Sequence, residues 1–131
     1  MRICAVNWQD IENPLGGGAE THLHEILERL AAWGHEAVLL CGGWPDCPPR
    51  VTRKGIEIHR VGTRQTFALH ARRYWERHLK QRRFDVLYED INKMPLFTTR
   101  WGGAQRVVVV VPHLFGGAAF QELNAVLASA V

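Results

Sequence analysis

Three consecutive glycines, Gly16-Gly17-Gly18, stand immediately before a segment of helical periodicity. Backbone N–H groups at a helix N-terminus attract negative charge, and without a Cβ a phosphate or another anion approaches them closely. The same glycines also suit an ordinary flexible turn. Gly18 is followed by Ala19-Glu20-Thr21 where a Walker A motif needs Gly-Lys-Ser/Thr, which excludes a P-loop nucleotidase. A dinucleotide fingerprint would start directly after the first strand and place an acid at the end of the second. Here a long loop intervenes and the second apolar run ends Leu40-Cys41-Gly42-Gly43, which argues against an NAD enzyme.

Two further polar groups carry chemical potential. Glu89, Asp90, Asn92 and Lys93 form a dense cluster after one apolar run, and His113 follows another. Imidazole donates or accepts a hydrogen bond near neutral pH, though a histidine after a strand is often only a loop residue. His22 and His24, two apart on one helix, fall on different faces and cannot ligate together as an i, i+4 pair does, so no metal is expected. Cys4, Cys41 and Cys47 are odd in number and lack C-x-x-C spacing. That indicates neither a disulfide framework nor a zinc site, and a reducing cytoplasm fits best. Cys4 and Cys41 lie in apolar runs as small hydrophobes.

The elements that position these residues follow from the apolar pattern. Arg2–Asn7 and Glu36–Cys41 read as strands covered on both faces of a parallel sheet. Trp8–Gly18, rich in turn-formers, is a loop long enough to be functional. Leu23, Ile26, Leu27 and Leu30 at i, i+3, i+4, i+7 mark an amphipathic helix from Ala19, stopped at Gly34. Gly42–Pro49 reads as irregular, and Ile56, Ile58 and Val61 mark a third strand expected near an edge. Phe67–Arg83 reads as one long basic helix, Asp85–Glu89 as a fourth strand, and Val107–Val111 as a fifth, central strand. A last helix is expected from about Ala118. Alternating strands and helices imply an α/β fold with a doubly wound parallel sheet, Rossmann-like. Ligands then bind beyond the carboxyl ends of the strands, which selects Gly16–Gly18, Glu89–Lys93 and His113–Gly117.

Gly-Gly-Gly-Ala-Glu opening a helix, Leu30-Ala31 near its end, Gly34-His35-Glu36 before a strand, Glu89-Asp-Ile-Asn-Lys-Met-Pro-Leu-Phe and Val111-Pro-His-Leu-Phe-Gly116 together resemble the amino-terminal domain of family 4 glycosyltransferases. The resemblance runs the length of the chain. It implies one half of a GT-B architecture and retaining transfer of a sugar from a nucleotide-sugar to a glycan, lipid-linked or small-molecule acceptor. By the same resemblance Gly16, Gly17 and Gly18 lie near the donor phosphates and the acceptor, and His113 is catalytic, facing the transferred sugar. Glu89, Asp90, Asn92 and Lys93 suit sugar hydroxyls or a phosphorylated acceptor, with Trp8, Asp10 and Glu12 as further walls; surface solvation explains such a cluster nearly as well. Glu20 and Glu28 have the E-x7-E spacing that the family uses in its other domain, but their segment matches the amino-terminal one, and they read as a solvated helix face. Residues 1–131 are thus expected to form an acceptor-side domain, incomplete at its carboxy end and inactive without a donor domain, with no cofactor.

Composition bounds these readings. The chain has 131 residues, 47% hydrophobic and 22% charged, enough for one globular core. Its longest apolar run, Val107–Pro112, is far too short to cross a bilayer, and no signal peptide precedes the first strand. The net charge of +3 is uneven: Arg50–Arg83 carries eleven Lys/Arg against two acids. Arg72, Arg73, Arg77 and Lys80 on an amphipathic helix suit peripheral contact with an anionic membrane, or are a solvated outer face. No nucleic-acid module is recognisable. The alternative to an acceptor domain is a stand-alone, non-catalytic Rossmann-like module that binds an anion, a membrane or a protein partner.

Overall fold

A computed structural model describes residues 1–63, 65–90, 98–101 and 106–110. Strand β1 (Arg2–Val6) leads through a long loop into helix α1 (Gly18–Ala32) and β2 (Glu36–Gly43). A hairpin of β3 (Arg50–Arg53) and β4 (Ile56–Thr63) follows. Next come helix α2 (Phe67–Tyr74), β5 (Val86–Asp90), a helical turn α3 (Thr98–Trp101) and β6 (Arg106–Val110). The strand order is β3-β4-β2-β1-β5-β6, parallel throughout except for the antiparallel β3–β4 pair. This is the doubly wound, Rossmann-like α/β architecture that the sequence implies.

The two faces of the sheet separate by alternate residues. Ala5, Ala37, Leu39, Cys41, Ile56 and Ile58 pack under Leu23 and Leu27 of α1. Cys4, Val6, Val38, Leu40 and Leu87 pack under Phe67, Ala71, Trp75, Leu79 and Phe84 on the opposite face. Because both faces are covered, the inner strands are continuous apolar runs. Helix α1 stops at Gly34, whose φ of 95° is the left-handed conformation that only glycine adopts without strain. The His35 N–H donates to the Leu30 carbonyl at 3.1 Å and the Gly34 N–H to that of Ala31 at 3.0 Å, a Schellman closure.

The third predicted strand, β4, lies near an edge as expected, with only the unpredicted β3 outside it, joined by a two-residue turn in which Lys54 and Gly55 both have positive φ (49° and 82°), the twist that tight hairpins require. Two expectations about the elements need correction. The fifth predicted strand, β6, is not central, since among the described residues it ends the sheet and pairs only with β5. The basic helix is not uniform. After α2 the chain winds as a π-helix over Trp75–Leu79 and a 3-10 turn over Lys80–Arg82, and ends at Arg83 with φ 55°. The helix expected from Ala118 lies outside the described residues. No described helix is long and apolar enough to cross a membrane.

Candidate functional site

The carboxyl ends of β1 and β5 lie side by side, and the loop from Asn7 to Gly17 leads from β1 to α1. One buried side chain outside α1 makes several bonds to this loop. Arg60 of β4 donates through Nη2 to Asp10 Oδ2 at 2.7 Å and to Glu12 Oε1 at 2.9 Å, through Nε to Asp10 Oδ1 at 3.3 Å, and through Nη1 to the Pro48 carbonyl at 3.2 Å. The Arg60 side chain is 2% exposed and that of Asp10 not at all. Burial alone would lower the Arg60 pKa, but its bonds and charge contact with Asp10 reverse that and raise it, so the guanidinium stays charged. Trp44 stacks on it at 4.4 Å. Asp10 therefore faces inward as a counter-ion and does not form an outer wall. Trp8 packs edge-on against Phe67.

At the start of α1 the three glycines are exposed. The Gly16 N–H donates to the Asn13 carbonyl at 2.8 Å, and the Gly17 N–H donates to Glu20 Oε2 at 2.8 Å. Glu20 is buried, 2% exposed, and also accepts from Gln9 Nε2 at 3.1 Å. The expectation that Glu20 sits on a solvated face is thus corrected. The positive end of α1 and its orphan amide draw the carboxylate inward. Glu28 is half-buried beside Lys54 at 3.9 Å and Arg53 at 4.0 Å. His22 is exposed and His24 is buried, on different faces as their spacing requires. Ile11 donates to His24 Nε2 at 3.2 Å, and burial, only partly offset by Asp10, lowers the His24 pKa and keeps the ring neutral.

At the end of β5 the paired acids separate. Glu89 is 2% exposed and accepts from the Thr98 N–H at 2.9 Å and the Thr98 hydroxyl at 2.7 Å, which ties β5 to α3. Asp90, 1% exposed, lies on the α1 side. Burial first, and then the charge of Glu20, raise its pKa from 3.8 to about 6, with His22 opposing. Asn92, Lys93 and His113 lie outside the described residues. Of the predicted site residues, the structure therefore places Asp90 within reach of the charge of Glu20 beside the glycine turn, while Glu89 turns to the other face and binds Thr98.

The family model for glycosyltransferase family 4 matches residues 16–125, from the glycine turn through β6 and beyond. The chain belongs to glycosyltransferase family 4. Solved structures similar to this family 4 domain include the following two. Sucrose-phosphate synthase from Thermosynechococcus elongatus is 13% identical with a TM-score of 0.49, over 68% of this chain and 27% of that one. The carboxy-terminal domain of the coenzyme A biosynthesis bifunctional protein CoaBC is 16% identical with a TM-score of 0.38, over 67% of this chain and 43% of that one. Neither likeness adds to what the strand order already shows, and the chain spans well under two-thirds of either structure. A comparison with curated proteins gives no significant match.

Three residues that shape this family 4 site, Asn7, Gln9 and Arg60, are not singled out by the sequence, and His24 is weighed there only as a metal ligand. A polar residue directly after a covered strand, as Asn7 is after Val6, was one available signal. Arg60 offered none, because its partner Asp10 is fifty positions away. The cysteines stay outside the site's chemistry: burial pushes the Cys4 and Cys41 thiols well above their ordinary range and keeps them protonated and inert.

Proposed function

We propose that this chain is the acceptor-side, amino-terminal domain of a retaining glycosyltransferase that moves a sugar from a nucleotide-sugar to a glycan, lipid-linked or small-molecule acceptor. The observation that carries this reading is the coincidence of the family match with a polar cluster at the carboxyl ends of parallel strands, where doubly wound sheets bind ligands. Gly18 supplies an exposed amide at the head of α1 toward the donor phosphates. Gly16 and Gly17 let the loop turn with no side chain between helix and ligand. His113 orients the transferred sugar, and Asp90, with Asn92 and Lys93, faces the acceptor. A second Rossmann-like domain holds the donor, and transfer requires both walls of the cleft because the reactants must be held in attacking geometry. Arg72, Arg73, Arg77 and Lys80, all exposed, bring this face to an anionic membrane at the cytoplasmic side.

The test is a transfer assay with a panel of nucleotide-sugars, using the chain alone and the chain joined to a family 4 donor domain. Transfer by the joined protein, and its loss in His113→Ala with unchanged circular dichroism, is the expected result. Turnover by the chain alone, or full activity of His113→Ala, refutes the division of roles.

A further inference from the structure

Three side-chain oxygens at the carboxyl end of the sheet, those of Asn7, Gln9 and Asp90, are buried acceptors with no donor among the described residues. Asn7, fully buried, donates Nδ2 to the Gln9 carbonyl at 2.8 Å, which fixes its amide and leaves Oδ1 without a hydrogen-bond partner among the described residues. Gln9, 3% exposed, donates Nε2 to the Leu15 carbonyl and to Glu20 Oε1, each at 3.1 Å. Both partners are acceptors, so this amide is also fixed, and its Oε1 is unpartnered in the same sense. Asp90 Oδ1 is the third such atom.

Strand register brings them together. Val6 lies beside Glu89, so the next residues along these parallel strands, Asn7 and Asp90, are neighbours. Both fall on the face where Ala5 and Tyr88 pack beneath α1. Glu20, from the first turn of α1, joins them through Gln9. The glycine turn beside Glu20 is open: a Cβ at Gly18 would meet nothing within 4 Å, and one at Gly17 would meet only Glu20 Oε2 at 3.9 Å.

We propose that Asn7, Gln9, Glu20 and Asp90 form a subsite that takes the hydroxyl groups of an uncharged sugar or cyclic polyol and rejects a phosphorylated one. This deepens the acceptor reading above and rests on it. Hydroxyls supply the O–H donors that Asn7 Oδ1, Gln9 Oε1 and Asp90 Oδ1 lack, and buried acceptors without donors are costly to leave unmet. A phosphate group brings only further acceptors and negative charge against two carboxyl side chains.

The experiment titrates the isotopically labelled chain at neutral pH with myo-inositol, D-glucosamine or D-glucose 6-phosphate and follows the backbone amide resonances. Saturable shifts at Asn7, Gln9 and Asp90 are expected with myo-inositol and not with the sugar phosphate. Asp90→Leu, which removes both acceptors and adds bulk, should weaken inositol binding about tenfold, the loss expected for one hydrogen bond to a buried group. Asp90→Asn, which keeps the volume and replaces one acceptor by a donor, provides the second variant if the leucine perturbs resonances elsewhere. The inference is overturned if the sugar phosphate binds at these amides as well as inositol does, or if myo-inositol does not bind. It is overturned as to charge if glucosamine alone binds. Transfer to a phosphorylated acceptor by the chain joined to a donor domain would sink this inference and leave the glycosyltransferase reading standing.

Discussion

Replacing Arg60 by Met removes four hydrogen bonds while keeping most of the buried stem. Asp10, fully buried, then has no counter-ion, the Pro48 carbonyl has lost its donor, and Trp44 has lost the cation stacked on it. Breaking a buried ion pair from one side costs about 3–5 kcal/mol, because the remaining charge stays desolvated. The Glu12 arm adds little, since its side chain is 46% exposed. For a domain of this size the loss corresponds to a fall in melting temperature of roughly 10–20 °C, out of a total stability of about 5–15 kcal/mol. Urea titrations at pH 7, followed by far-ultraviolet circular dichroism, measure it directly. Asp10→Asn alone should cost less, because Arg60 retains Glu12 and Pro48. The double variant Asp10→Asn/Arg60→Met should cost little more than Arg60→Met, giving a coupling of about 2 kcal/mol or more. A cost below about 1 kcal/mol for Arg60→Met, or simple additivity in the double variant, would falsify the claim that a desolvated pair clamps the loop.

Three further outcomes are expected. Asp90 has a folded pKa raised above its unfolded value, so its ionisation weakens the fold as pH rises from about 4 through about 6; Asp90→Asn should gain up to about 3 kcal/mol at pH 8 and almost nothing at pH 4, read by urea titration at both. Glu57 behaves oppositely. Burial pushes its pKa up, but bonds from His59, Arg82 and Arg50 together hold it at about 2, so its contribution is complete above about 4.5 and fades as pH falls through 2. Glu57→Gln should cost about 2 kcal/mol at pH 7 and little at pH 2, and an equal cost at both would count against the ion-pair account. At Gly42 a Cβ would lie 2.7 Å from the Trp8 carbonyl oxygen and 2.9 Å from that of Thr63, both backbone. Gly42→Ala should lose about 1–3 kcal/mol by thermal unfolding, as overpacked cores do, and a neutral result would mean that the loop after β1 yields freely.

What was legible in the sequence, and what was not, divides by the range of the interactions. β1 and β2 read correctly because burial on both faces forces unbroken apolar runs, and α1 because its stripe at Leu23, Leu27 and Leu30 repeats with the helical period. Gly34 ended the helix as expected. β3 escaped because Arg50-Val-Thr-Arg53, with alternating exposed and half-buried residues, has too few apolar positions to stand out. Only the Lys54-Gly55 turn marked it. The valines of β6 announced a strand, but position within a sheet is a non-local property that composition does not carry. At the site, the glycine turn and the acids of β5 were visible by type. The inward turn of Glu20 was hidden by its polarity, although a carboxylate three residues after Gly17 fits a helix-start pattern. The Asp10–Arg60 pair depends on chain segments that only the fold brings together.

The π-wound turn at Trp75–Leu79 bears on how this domain changes length. A π-helical turn is an α-helix that holds one residue too many, and the surplus here falls among Glu76, Arg77 and His78, all exposed. Deleting one of the three lets the segment close to ordinary winding with Trp75 and Leu79 three positions apart, still on the same side of the helix. The buried anchors and the register of β5 then stay where they are. A chain lacking Arg77 should therefore keep the positions of Trp75, Leu79 and β5, and with them the carboxyl end of the sheet.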